Sequence, residues 1–191
     1  MTIVEGEVVG LYFKSVDSDE ITTGNFLTFD KPGIFGSGGR MDVRASHFFP
    51  TRLEDFNPLR FIDRRSTTQW CAVSFEELER LAQVKDFRNT LELIPHLRVF
   101  IKERRIEAGI NVCIKGMSGL TELPRGTRLT FSNERFSNDQ IPGPVILGVE
   151  EHEEILLDGE EVLRGIAGVV HQTGKIAIGA KVTAEIPVLS A

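Results

Sequence analysis

A chain of 191 residues, 41% hydrophobic and 26% charged, has the size of one generous domain with a substantial core. Its formal charge of −6 argues against wholesale binding to nucleic acid or to an anionic membrane. No apolar run reaches the roughly 20 residues of a spanning helix and no signal-peptide core opens the chain, so a cytoplasmic protein is expected. Cys71 and Cys113 stand in apolar runs without CxxC or Cys/His metal spacing, and both read as reduced, buried core residues. The 18 glycines point to many turns and hence a β-rich chain, and the 13 phenylalanines suit a core better than a base-stacking surface.

In chain order, a first strand is predicted at 4–14, with Gly6 and Gly10 as bend or bulge points. Residues 15–24 read as loop and 25–29 as a short strand. Gly33, Gly36, Gly38 and Gly39 crowd the next segment and predict a loop without regular structure at 31–40. That loop either wraps a phosphate with backbone N–H groups, helped by Arg40, or is a plain surface loop. No G-K-[ST] follows it, so it is not a Walker fingerprint. Residues 41–47 read as a strand or a loop end. Arg64 and Arg65 are candidates for an anion clamp, since guanidinium suits bidentate phosphate contacts; the other reading is an exposed basic edge.

A buried strand at 70–74 leads through a Ser74-x-x-Glu77 capping box into a helix at 75–83. Leu78, Leu81 and Ala82 face one way, and Glu76, Glu79 and Arg80 the other. A second helix is predicted at 86–93, stopped by Pro95, while 98–107 fits strand or helix. The most informative stretch is 109–131. Ile110, Val112 and Ile114 alternate there with Asn111, Cys113 and Lys115, the period of a strand. Gly116 and Gly119 break the run, a surface excursion follows, and Gly126 opens a strand at 127–131. A buried Asn111 needs a partner, either a ligand or the backbone. Farther on come a loop at 132–144, a strand at 145–149, an acidic run at 150–154 and one helical turn at 160–163. A hairpin is predicted at 165–178, turning at 172–174, and a last strand at 181–186. His47, His96, His152 and His171 are scattered. Strand geometry would put His152 opposite Glu151 and Glu153, which reads as a solvated acidic edge rather than a metal site. With no Ser/His/Asp set and no HExxH, no hydrolase is expected.

Several of these segments, in order, resemble the MOSC family, the domain shared by the C-terminal part of molybdenum cofactor sulfurase and small bacterial relatives. Gly109-Ile110-Asn111-Val112 with Lys115-Gly116 looks like the family's strand and turn, and L-T-E-L-P-R-G-T-R-L at 120–129 like the segment after it. Residues 163–182 resemble its closing hairpin, with Ala180 where the family has an acidic residue. Weaker echoes lie at 65–78 and at 38–42. The resemblance implies a mainly β fold with a few helices, a MOSC-like β-barrel forming a single domain over 1–191. It also implies a pocket for sulfur or molybdenum cofactor chemistry. It places Arg128 and Arg164 at basic positions of the pattern, as pocket-lining residues or as surface ion pairs. With Arg64, Arg65 and Asn111 they make up the candidate site for a small anionic ligand, the phosphate of molybdenum cofactor or of pyridoxal phosphate.

The family's sulfur-carrier chemistry depends on a cysteine in the segment after the middle strand. Here residues 137–145 read S-N-D-Q-I-P-G-P-V. A persulfide or a thiolate–molybdenum bond needs a sulfur atom there. The resemblance therefore implies the framework and its pocket, with ligand binding rather than sulfur transfer. The rival is a non-catalytic interaction module, with the acidic surface and Phe48, Phe49, Phe56 and Phe61 as its interface, homodimerisation included.

Overall fold

The computed structural model describes residues 2–15, 17–30, 33–46, 68–102, 105–133 and 144–188. They are mainly β. The elements are β1 (Thr2–Lys14), β2 (Ile21–Thr23), β3 (Phe26–Asp30), β4 (Gly33–Phe35), α1 (Val43–Ser46), β5 (Trp70–Ser74), α2 (Phe75–Val84) and α3 (Thr90–Leu93). There follow β6 (Arg98–Ile101), β7 (Ile106–Ala108), β8 (Val112–Lys115), β9 (Arg128–Ser132), β10 (Val145–Leu157), β11 (Glu160–Gln172), β12 (Gly174–Ala177) and β13 (Lys181–Ile186).

A 10-stranded sheet runs β11-β5-β8-β1-β13-β9-β10-β6-β7, with β2 added on β1. β10 also pairs β11, so the path of pairings from β11 to β10 returns to its first strand. The β5–β8 pair is parallel, and its crossover carries α2, α3 and the β6–β7 hairpin. A separate three-stranded sheet runs β12-β3-β4.

The apolar run of β5 is continuous because both of its faces are covered. Trp70 and Ala72 join one core with Val8, Phe131 and Leu147. Cys71 and Val73 join a second core with Leu78, Leu97 and Ile155, beneath α2 and α3. At the β5–α2 junction the Ser74 hydroxyl accepts from the Glu77 N–H at 3.4 Å, and Leu78 and Ala82 are buried, as the capping box and periodicity predict. Glu77 does not reach back; its Oε1 accepts from the Thr121 hydroxyl at 3.1 Å. Ser74 instead donates to Glu76, whose other oxygen accepts from the Gly116 N–H. Ser74→Ala should cost about 1 kcal/mol by chemical denaturation; an unchanged midpoint would show that the cap carries no stability.

The predicted first and last strands are present, with a register shift between Val8 and Gly10. Six expectations are corrected. The glycine-dense 31–40 segment does contain regular structure: β4, held by β3, and a 3-10 turn at Ser37–Gly39. Within the segment expected to be a strand or a loop end, Val43–Ser46 is a helix, α1, with Asp42 as its cap, while Met41 and Asp42 make isolated bridges to Phe35 and Ser15. The second helix is the short α3, capped by Asn89 and prolonged by a 3-10 turn at Ile94–His96 that contains Pro95. The helical turn at 160–163 is strand: Asp158 and Gly159, at φ 53° and 84°, make the tight turn that joins β10 to β11. The hairpin at 165–178 does not close, because β12 pairs β3. The Asn133 amide bonds Lys175 O and Ala177 N–H, occupying groups along β12. The excursion after Gly116 is also no surface feature, since Met117, Leu120 and Leu123 are buried in the first core.

Candidate functional site

Asp42 sits before α1, and its Oδ1 accepts from the Arg44 N–H at 2.9 Å, the bond of a helix cap. Its Oδ2 accepts from the Lys14 N–H at 3.0 Å and from the Asn111 amide at 3.1 Å. Capping turns the Arg44 side chain inward, where it is fully buried. Its guanidinium meets Glu153 of β10 in a two-pronged ion pair, at 2.9 and 2.8 Å. The same head donates to Thr68 O at 3.1 Å and to Gly109 O at 3.2 Å. One arginine thus ties α1, the lead into β5, the lead into β8, and β10.

Asn111 completes the cluster from the β8 side. Its Oδ1 accepts from the Cys71 N–H at 3.0 Å, and its amide also donates to Tyr12 O at 3.3 Å. Burial pushes the Asp42 carboxyl above its ordinary pKa, against the opposing pull of Arg44 and its donors. Burial works against the Arg44 charge, but the facing Glu153 carboxylate prevails and raises its pKa.

Glu153 also lines a cleft of about 190 Å³, with Thr68, Lys102, Glu151, His152 and Glu154. Lys102 lies 3.9 Å from Glu154. Cys71 is wholly buried, and the Glu153 carboxylate bears electrostatically on its thiol. Gly165, opposite Glu153 in the β10–β11 register, leaves the room: a Cβ there would stand 2.8 Å from Cys71 Sγ and 3.0 Å from Ala72 O.

Both thiols are held protonated. Burial, then the Glu153 carboxylate, raises Cys71 well above the usual thiol range, and burial and then Glu76 push Cys113 up to about 12. A thiol-specific reagent should therefore leave the native chain unlabelled, even above the ordinary thiol pKa of about 8.5, and label both cysteines once the chain unfolds. Rapid labelling of either cysteine in the native chain would contradict this.

Of the residues singled out from the sequence, Asn111 is in the cluster as a fully bonded core amide. Arg128 is exposed on β9. Arg164 is exposed on β11, 3.0 Å from Glu161, and lines a separate groove beside α2. Arg64, Arg65, His47 and the phenylalanines at 48, 49, 56 and 61 lie outside the described residues, as does 134–143. His152 is exposed on β10 and Glu153 is buried on the opposite face, as strand geometry requires, but the solvated acidic edge expected there is corrected: Glu153 is turned inward onto Arg44. No metal-holding cluster of His, Cys, Asp and Glu occurs among the described residues, and no helix among them is long and apolar enough to cross a membrane.

Sequence reasoning missed Asp42, Arg44 and Glu153. Glu153 had a signal: it shares a strand face with Ile155 and Leu157, so alternation turns a carboxylate inward. Arg44 had none, because its burial depends on carbonyls and a carboxylate remote in the sequence.

The chain is similar in fold to the crystal structure of the YuaD protein from Bacillus subtilis, with a TM-score of 0.56 and 18% identity. The match covers 98% of this chain and 99% of that one, and at this identity it concerns the fold alone. No family model matches the chain, and no curated protein matches it.

Proposed function

We propose that the chain is a MOSC-like domain whose sheet acts as a barrel and which binds a small, phosphate-bearing anion without thiol chemistry of its own. Three things support the framework: the ordered motifs at 109–116, 120–129 and 163–182, the return of the strand pairings from β10 to β11, and the position of Asn111 at the junction of β1, β5 and β8.

The observation that carries the loss of sulfur chemistry is the state of Cys71 and Cys113, both buried and held as thiols. The segment at 134–143 carries no cysteine to replace them. Molybdenum held through protein sulfur needs an accessible thiolate. The cysteines of this chain do not fit that role, and no step is assigned to the metal.

The cleft beside Glu153 is the proposed binding place. Its described lining has three carboxylates against one ammonium and one imidazole. An anion is held there only with added cations, and we assign that role to Arg64 and Arg65, four and three residues before Thr68 in the sequence. Arg128 and Arg164, exposed on β9 and β11, are assigned no contact with it. Titration calorimetry with pyridoxal phosphate and with inorganic phosphate tests this reading. Saturable binding that weakens about tenfold or more in Arg64→Ala/Arg65→Ala is expected. No binding by the wild type, or equal binding by the variant, would overturn it.

The acidic lining favours a second reading, a protein-interaction domain with no small ligand. A stable dimer in light scattering, unchanged by phosphate-bearing ligands, would support that reading instead.

A further inference from the structure

Between α2 and the first residues of β11 runs a groove of about 530 Å³ that shares no lining residue with the Glu153 cleft. Its apolar wall is Leu81 and Val84 of α2 with Val162 and Leu163 of β11. Leu81, Val162 and Leu163 rest on the second core and are only partly buried, and Val84 is 79% exposed. A groove of this volume falls within the roughly 300–1,000 Å³ of small-molecule sites.

The polar lining is Glu77, Arg80, Thr121 and Arg164. Glu77 turns away from the N-cap it would serve in a full capping box, and its Oε1 accepts from the Thr121 hydroxyl. Its Oε2 is buried and meets no donor. A buried acceptor of this kind calls for a partner, and the groove is where one can enter. Burial raises the Glu77 carboxyl above its ordinary pKa, against the pull of Thr121 and Arg80. Among the described residues the two arginines each bond a neighbour through Nε alone: Arg80 the Glu76 carbonyl at 3.4 Å, Arg164 the Glu161 carboxylate at 3.0 Å. Their terminal N–H groups are left to donate elsewhere.

We propose that this groove binds an apolar α-amino acid, its ammonium on Glu77 Oε2, its carboxylate on Arg80 and Arg164, and its side chain along Leu81 and Leu163. The lining sets one acceptor and two guanidinium groups beside an apolar wall, which matches a molecule that carries both charges next to its side chain. A fatty acid would leave Glu77 without its donor, and an alkylamine would meet the arginines with no acceptor to offer. Bonds between charged partners supply both strength and direction. The site does not depend on the reading of the Glu153 cleft.

Amide chemical-shift titration of the whole chain with L-leucine tests it. Isocaproate lacks the ammonium, isopentylamine lacks the carboxylate, and glycine lacks the side chain. Saturable shifts at Glu77, Leu81, Thr121 and Leu163 are expected with L-leucine, about tenfold or more tighter than with any of the three. Affinity should fall about tenfold in Glu77→Gln, which keeps an acceptor for Thr121, and in Arg80→Gln at the exposed rim. Unchanged melting of Arg80→Gln would show that its folding is intact. The proposal is overturned if L-leucine does not saturate or if any of the three fragments binds as tightly. It is equally overturned if neither variant weakens binding, or if the shifts centre on Thr68 and Glu153.

Discussion

Arg44→Met is expected to lower stability by about 3–5 kcal/mol, because it leaves a carboxylate buried without its cation. Arg44 is wholly buried and Glu153 nearly so, and their two bonds are short. The methionine fills much of the volume but supplies no donor to Glu153, to Thr68 O or to Gly109 O. Asp42 also loses the positive charge that works against its burial. For a chain of this size the loss corresponds to a fall in Tm of roughly 10 °C. Adding Glu153→Leu should recover much of it, since the isolated charge is then gone. Thermal or urea unfolding followed by circular dichroism measures both variants. If Arg44→Met costs under about 1 kcal/mol, the clasp does not hold the fold.

The second large effect is expected at Asn111. Asn111→Leu removes the acceptor of the Cys71 N–H and the donor to Tyr12 O and Asp42, all in a buried setting. An orphaned buried donor costs about 1–3 kcal/mol, so a total of roughly 2–4 kcal/mol is expected. Asn111→Asp keeps the shape but sets a second carboxyl beside Asp42, and should be destabilising too. The same unfolding measurements decide the residue's role. A group that serves only as a ligand contact would leave stability unchanged; the hydrogen bonds predict that it does not.

These two residues also mark how far the fold was legible. The Ser74–Glu77 cap and the spacing of Leu78 and Ala82 are local, and local rules located β5 and α2. Asn111 announced itself as a polar residue in an apolar run, and its demand for a partner was met by the backbone and by Asp42. The β10–β11 hairpin was legible in principle from Asp158-Gly159. The acidic stretch before that turn and Glu160–Glu161 after it masked the alternation. The pairing of β12 with β3 was not legible, because it joins residues far apart in the chain and is set partly by Asn133. The Arg44–Glu153 pair is of the same kind: neither partner's surroundings in the sequence name the other. The site followed the same division. Cys71 and Cys113 read correctly as core residues from their apolar runs, while the cleft that Glu153 shares with Lys102 needed three dimensions.

The proposal that a MOSC-like framework persists here without its sulfur chemistry is tested most directly by cyanolysable sulfur. The purified, folded chain is incubated with a persulfide donor, desalted and treated with cyanide. Sulfur at the level of a Cys71→Ala/Cys113→Ala control is predicted, because no thiolate in the chain is placed to accept it. Stoichiometric sulfur on the native chain that disappears in that control would contradict the proposal.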